Sequence, residues 1–350
     1  MLTDIFETRY ANRRLWNSYG ESERRFLVQA AKIITKQLFP AWTHDRKPHE
    51  ANKKTLQSIL DKVAMEVGIK EFHPKYYQVV SKWNGNDITT VNEWSLDHVY
   101  ESVLTCPLGE GKDPDSWIKR CLSIVELSFR QRELEVGWQT ATFGERVTLA
   151  KFGNAPMPKG FEEALQSPKR MLADAMMANI EELNHRFVQA GFPLSYHNGF
   201  IQIKTDQLIS KTIEQPFWLL VSGPEWKAVD TDMKYALDLR DTGGRDPAFY
   251  AARALESVIK IISSQSGRGT GKEKGAANYI DNLVRNEGGR FIEIWEMENL
   301  KGFFSKIRNP LGHGPGEDEI VNLSDTQTDW AIEYCMCWIK SLIKRIPISK

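Results

Sequence analysis

The sequence predicts a mainly α-helical protein: a helical N-terminal domain and a C-terminal helical bundle preceded by a small β-hairpin. Hydrophobic residues make up 41% of the 350 residues and charged residues 26%, as in globular proteins. Apolar residues recur at helical spacing over most of the chain. Strand-like alternation stands out only from Ser195 to Lys204, around Asn198-Gly199, a pair typical of hairpin turns.

The first half of the chain is predicted to be a series of helices and loops. The first clear helix carries an apolar stripe that ends before Pro40, and the second stops at Gly68. Turn residues favour loops in the segments 84–92 and 107–114. The predicted helices cover about 26–38, 51–67, 94–104 and 117–139.

Prolines and a glycine in residues 152–158 indicate a domain boundary near residue 155. Helices are expected over 161–190 and 207–221, followed by a connector of acidic and basic residues that ends at Pro247. The predicted domains are therefore 1–155, which regulates or recruits, 156–240, a helical connector with the hairpin, and 241–350, the C-terminal domain.

The last hundred residues have the clearest helical pattern. An apolar stripe runs from Ala248 to Ile262, with Asp246 as the expected N-cap and Pro247 at the first helical position. A Gly-rich basic loop follows over residues 266–275, and the last helix is expected to start near Ser324.

Composition limits the possible functions. The 46 basic and 46 acidic side chains cancel, so any contact with nucleic acid must come from local clusters. The four cysteines suggest neither a disulfide framework nor a zinc site, and no cofactor is implied. With no signal segment and no apolar run of membrane-spanning length, a cytoplasmic protein without a membrane partner is expected.

Arg308 and His313 are the candidate catalytic pair. Because Pro310 disfavours helical geometry in the residue before it, the preceding helix is expected to end at about Arg308, with that side chain exposed. Glycines at 312, 314 and 316 place His313 in an irregular loop. Histidine transfers protons near neutral pH and arginine binds phosphate. The alternative is that Arg308 caps helix carbonyls and His313 is an ordinary loop residue.

Two further groups of residues are candidates for supporting roles. Arg253, Glu256 and Lys260 share a polar face of the helix that begins at Pro247; they either support the catalytic loop or form a solvated face with a Glu256–Lys260 surface pair. The loop residues that offer charge to RNA phosphates, unless the loop is only a solvated connection, are Arg268, Lys272 and Lys274. This loop lacks the pattern of a nucleotide-binding P-loop.

The motif Arg308-Asn309-Pro310-Leu311-Gly312-His313 resembles that of the HEPN superfamily of ribonucleases, and its four intervening residues lie within the range of that superfamily. From about residue 178 to 344 the chain also resembles bacterial abortive-infection-protein-like proteins. The segments that carry this likeness are Gly191-Phe192, 196–203, 254–260 and the Arg-Asn-x-Leu-Gly-His-Gly ending, with weaker likeness in 4–6, 9–10 and 24–27.

The resemblance implies a metal-independent endoribonuclease, acting on tRNA, rRNA or mRNA in phage defence or as a toxin. It implies catalytic roles for Arg308 and His313, an orienting role for Asn309 unless this residue only ends a helix, and supporting roles for Glu256 and Lys260. Two rival hypotheses remain open: a non-catalytic HEPN-like module that binds a nucleotide or protein, and a domain whose toxicity is switched off by nucleotidyl transfer.

The resemblance also implies partners. Domains of this superfamily usually pair two copies of the motif, so a homodimer through the C-terminal domain is expected. Phe303, Phe304 and Leu311 are predicted to supply part of its interface. An antitoxin or another defence protein is a further expected partner.

Overall fold

The chain is mainly α-helical, which confirms the predicted fold class, and it forms two compact units. The first unit is Met1–Ile203 and the second unit is Lys204–Lys350. A computed structural model describes residues 5–43, 45–84, 86–109, 111–152, 161–204, 206–286, 289–312 and 322–346, with the backbone alone for 141–152, 161–165 and 207.

Long helices build the first unit. Its helices are α1 (Phe6–Arg9), α2 (Glu21–Lys32), α3 (Glu50–Glu66), α4 (Leu96–Thr105), α5 (Pro114–Phe152) and α6 (Phe161–Ala190), and a π-helical segment, Ile33–Leu38, extends α2. The predicted early helices are confirmed, although α5 extends well past its predicted end at residue 139. Helix α5 packs against α1, α2, α3 and α6, so it forms the centre of this unit.

The predicted hairpin is confirmed and lies in the core of the first unit. Strands β3 (Leu194–His197) and β4 (Phe200–Ile203) pair antiparallel around Asn198 and Gly199. Both turn residues have positive φ angles, 44° and 88°. This is the backbone geometry that an Asn-Gly turn supplies.

A second hairpin shows that the prediction of a loop at 84–92 was wrong. Strands β1 (Tyr76–Trp83) and β2 (Asn86–Glu93) pair antiparallel over eight residues each. Nearly all of their residues are exposed on both faces, so no alternation of apolar and polar residues marks the strands. The turn pair Asn84-Gly85 was the available signal.

Helices also build the second unit. They are α7 (Gln207–Ile209), α8 (Gln215–Leu220), α9 (Lys227–Thr242), α10 (Pro247–Gln265), α11 (Ala276–Val284), α12 (Ile294–Phe303), α13 (Asn309–Gly312) and α14 (Asp325–Lys344). Two π-helical segments, Ser210–Glu214 and Phe304–Arg308, and a 3-10 turn, Pro224–Trp226, join them. Helix α10 is central, because both α9 and α14 pack on it.

Helix α9 occupies the stretch that was predicted to be a connector, so that prediction was wrong. Val229, Met233, Ala236 and Leu237 recur at helical spacing and are buried. The charged residues between them masked this pattern. The stripe predicted for α10 is confirmed, but Asp246 has a φ of 56° and its side chain does not cap the helix. Ser324 caps α14, as its predicted start implies.

The division into two units differs from the predicted boundaries near residues 155 and 240. Helix α6 packs on α5 and α2, so it belongs to the first unit. Helix α9 packs on α10 and α14, so it belongs to the second unit. Packing thus distributes the predicted connector between the two units. Within the described residues, no helix combines the length and the apolar character needed to cross a membrane.

Candidate active site

The helix that carries Arg308 does not end there, contrary to the sequence prediction. A π-helical segment follows α12 and leads directly into α13, which includes Pro310. The N–H of Asn309 donates to the carbonyl of Phe304, five residues back. This wider turn shifts the preceding carbonyls relative to the proline ring and relieves the clash that normally ends a helix. Arg308 therefore lies inside a helix and is half-buried.

Arg308 is bound to the predicted supporting residue Glu256. Its Nη2 donates to Oε2 of Glu256 at 3.0 Å. The Nζ of Lys260 lies 2.8 Å from Oε1 of the same carboxylate. Glu256 itself is buried, whereas Lys260 remains 46% exposed at its side chain. The predicted Glu256–Lys260 pair thus exists, but Glu256 is not part of a solvated face; it joins α10 to the helix of Arg308.

Phe249 forms one wall beside Arg308. The guanidinium carbon of Arg308 lies 5.7 Å from the centroid of the Phe249 ring. A Cβ added at Gly312 would come within 2.9 Å of Cε2 of Phe249. Because only glycine permits this approach, the turn that leads towards residue 313 is packed against Phe249.

His313 lies outside the described residues, so the structure describes only Arg308 of the predicted pair. Asn309 is exposed, and its side chain makes no hydrogen bond to another described residue. The last five residues of this helical segment are 308–312, directly before the histidine. The predicted catalytic roles of all three residues stay predictions.

Arg253 has a different partner from Arg308. Its Nε donates to Asp232 of α9 at 2.9 Å, and a second bond runs from its Nη2 to the same carboxylate. Its guanidinium also lies 4.7 Å from the centroid of the Tyr250 ring. Arg253 therefore joins α9 to α10 and is not brought into contact with Glu256.

The basic loop is held in place by its own side chains. Arg268 donates to the carbonyls of Arg285 and Gly289, at 3.0 and 2.6 Å. Hydrogen bonds from the Thr270 N–H and hydroxyl and from the Asn282 amide lower the pKa of the Glu273 carboxyl to about 2.

The remaining two basic side chains of that loop, Lys272 and Lys274, are exposed. They are the two loop cations still available to phosphates, because Arg268 is engaged with backbone carbonyls.

The sequence reasoning missed Phe249, Tyr250 and Asp232 as neighbours of the candidate site. A signal was present for Phe249. It precedes Arg253, Glu256 and Lys260 by four, seven and eleven residues, so all four share one face of α10. No such signal linked Asp232 to Arg253, because they lie on different helices.

Comparison with known families places this chain among abortive-infection-like proteins. The model of the family AbiJ N-terminal domain 4 matches residues 4–219, and the chain belongs to that family. The match covers the described part of the first unit and the start of the second. Glu256 and Arg308 lie beyond it. No curated protein and no solved structure matches the chain.

Proposed function

We propose that this abortive-infection-like protein is an endoribonuclease of phage defence or a toxin, with a HEPN-type active site in its second unit. The family membership supports the defence role. The observation that carries the catalytic role is the contact between buried Glu256 and Arg308, which precedes His313 by five residues. A buried carboxylate orients the guanidinium while part of Arg308 stays accessible.

In the proposed reaction the ribose 2′-hydroxyl attacks the adjacent phosphorus and the bond to the 5′-oxygen breaks. His313 takes the hydroxyl proton as the new bond forms and returns it to the leaving 5′-oxygen. Arg308 stabilises the charge that grows on the phosphoryl oxygens. Glu256 holds Arg308, with Lys260 as its second cation, and Asn309 orients His313 or a phosphoryl oxygen.

The active form is proposed to be a homodimer, which brings two copies of the motif together. The predicted interface residues need revision, because Phe303 and Phe304 are 5% and 3% exposed and belong to the core of the second unit. Leu311 is only partly buried. Light scattering at micromolar concentration tests the dimer, and an active monomer would contradict it.

The test is cleavage of purified tRNA and rRNA by the full chain beside a His313→Ala variant. We expect fragments with 2′,3′-cyclic phosphate and 5′-hydroxyl ends, formed in excess EDTA, and resistance of an RNA with deoxyribose at the scissile position. Cleavage by His313→Ala at the wild-type rate, or 5′-phosphate ends, would overturn the mechanism. RNA binding without cleavage by the wild type would favour the rival, a non-catalytic binding module.

A further inference from the structure

Three aromatic rings form a continuous row that begins beside Arg308, and the guanidinium group of Arg253 lies over one of them. Phe249 lies between Arg308 and Tyr250; the centroids of the two rings are 5.5 Å apart, nearly perpendicular. Tyr235 of α9 continues the row, 5.8 Å from Tyr250 between centroids. Arg253 covers Tyr250 at 4.7 Å. We call these three rings the aromatic row.

Packing against the core of the second unit accounts for one ring of this row but not for the other two. Of its three rings, only Tyr250 packs against the core of the second unit, among the residues that the structure describes. Phe249 and Tyr250 are half-buried, and Tyr235 is 37% exposed. Placing apolar rings in water is unfavourable, so a surface row next to a charged site indicates a ligand with flat apolar faces.

The row fits unpaired nucleotides. A base presents a flat face that stacks on Phe or Tyr, and the guanidinium groups of Arg308 and Arg253 beside the rings meet the phosphates. Bases inside an A-form duplex are stacked on each other and cannot reach such rings. Because Phe249 touches Arg308, a base stacked on it lies next to the phosphate that Arg308 binds.

We infer that the aromatic row binds the bases of single-stranded RNA beside the scissile phosphate, so that the site selects unpaired segments. This inference rests on the proposed ribonuclease activity for its role in cleavage. It assigns Phe249 and Tyr250 as substrate-binding residues, and Tyr235 as the next stacking position along the strand.

The experiment compares one labelled RNA as a single strand and annealed to its complement, with wild type and Phe249→Leu. We expect cleavage of the single strand only, and a KM raised about tenfold in Phe249→Leu with a smaller change in kcat. Phe249→Trp should restore the KM, because it restores a stacking face. Trp295→Leu is the matched control: this ring is 66% exposed and has no ring contact among the described residues.

Binding separates failure of this inference from failure of the proposed activity. Affinity of the His313→Ala protein for the labelled single strand is measured by fluorescence anisotropy, with and without Phe249→Leu. If Phe249→Leu cleaves RNA with an unchanged KM, or if the duplex is cleaved as well as the single strand, the proposed role of the aromatic row is wrong. The proposed ribonuclease activity is then still supported. If the wild type does not cleave RNA but Phe249→Leu weakens single-strand binding about tenfold, the proposed ribonuclease activity is wrong and the binding role of the aromatic row is supported.

Discussion

The two units contain the same arrangement of charges in different surroundings. In each, a glutamate on a long helix pairs with a cation four residues later and with an arginine from a distant segment. In the first unit these residues are Glu126, Arg130 and Arg9. In the second they are Glu256, Lys260 and Arg308.

The first cluster is closed. The side chains of Arg9 and Glu126 are 4% and 0% exposed, against 23% and 8% for Arg308 and Glu256. Glu126 also accepts from the Ile201 N–H at 2.7 Å, and Arg9 donates to the Ile201 carbonyl at 2.9 Å. These contacts join α1 and α5 to the β3–β4 hairpin, so the first cluster has a structural role.

The second cluster is open. Among the described residues, Glu256 is the one hydrogen-bond acceptor that Arg308 contacts. An arginine–glutamate pair is therefore suited to chemistry when donors of the arginine remain for a ligand.

The largest expected effect tests the closed cluster. Glu126→Ala leaves the buried Arg9 and the half-buried Arg130 without their carboxylate, so the free energy of unfolding of the first unit should fall by about 3–5 kcal/mol. Urea denaturation followed by circular dichroism measures it. Glu21→Ala is the control, since its pair with Arg25 is exposed and should contribute under about 1 kcal/mol. A loss for Glu126→Ala as small as that of the control would show that the cluster is not structural.

The next effect tests the open cluster. Arg308→Ala should slow RNA cleavage by about 10²–10³-fold, because a donor to the charged transition state is lost, while the midpoint of unfolding changes little. Arg9→Ala should do the reverse: it should destabilise the first unit and leave the cleavage rate per folded molecule unchanged. If Arg308→Ala lowered the midpoint of unfolding strongly and left the cleavage rate per folded molecule unchanged, the roles assigned to the two clusters would be wrong.

A smaller effect is expected for the carboxylate that holds Arg308. Glu256→Gln keeps the shape of the side chain but removes the charge between Lys260 and Arg308. We expect kcat to fall about tenfold as the guanidinium loses its fixed orientation. Single-turnover kinetics measures this, with Lys272→Gln as an exposed control that affects KM through salt-dependent binding. An unchanged kcat would place Glu256 outside the mechanism.

The smallest effect concerns pH. Burial alone raises the pKa of the Glu126 carboxyl, but the charges of Arg9 and Arg130 and the hydrogen bonds from Arg9 and the Ile201 N–H outweigh it and hold the pKa below its ordinary value of 4.5. Its contribution to stability is therefore complete above about pH 4.5 and is lost as the pH falls through the lower folded-state pKa. The difference in unfolding free energy between wild type and Glu126→Gln, measured from pH 7 to 3, should shrink at the acid end. A constant difference would contradict the depressed pKa.

Local sequence predicted the elements that depend on neighbouring residues. The stripes of α10 and α14, the turn at Asn198-Gly199 and the helix stop at Gly68 are examples. Predictions were wrong where the periodicity of apolar residues was obscured, or where the backbone accommodated a residue that normally ends a helix. Charged residues hid the apolar stripe of α9, both faces of β1 and β2 are exposed, and a π-helical turn accommodates Pro310.

Sequence patterns alone were enough to predict the helical class and the β3–β4 hairpin, and to choose Arg308 and Glu256 as residues to consider. Only the tertiary structure decided that these two meet, that Glu256 is buried, and that Phe249 lies beside them. The reason is physical: periodicity and turn chemistry depend on residues a few positions apart. The pairing of α10 with a segment 52 residues later depends on how whole helices pack.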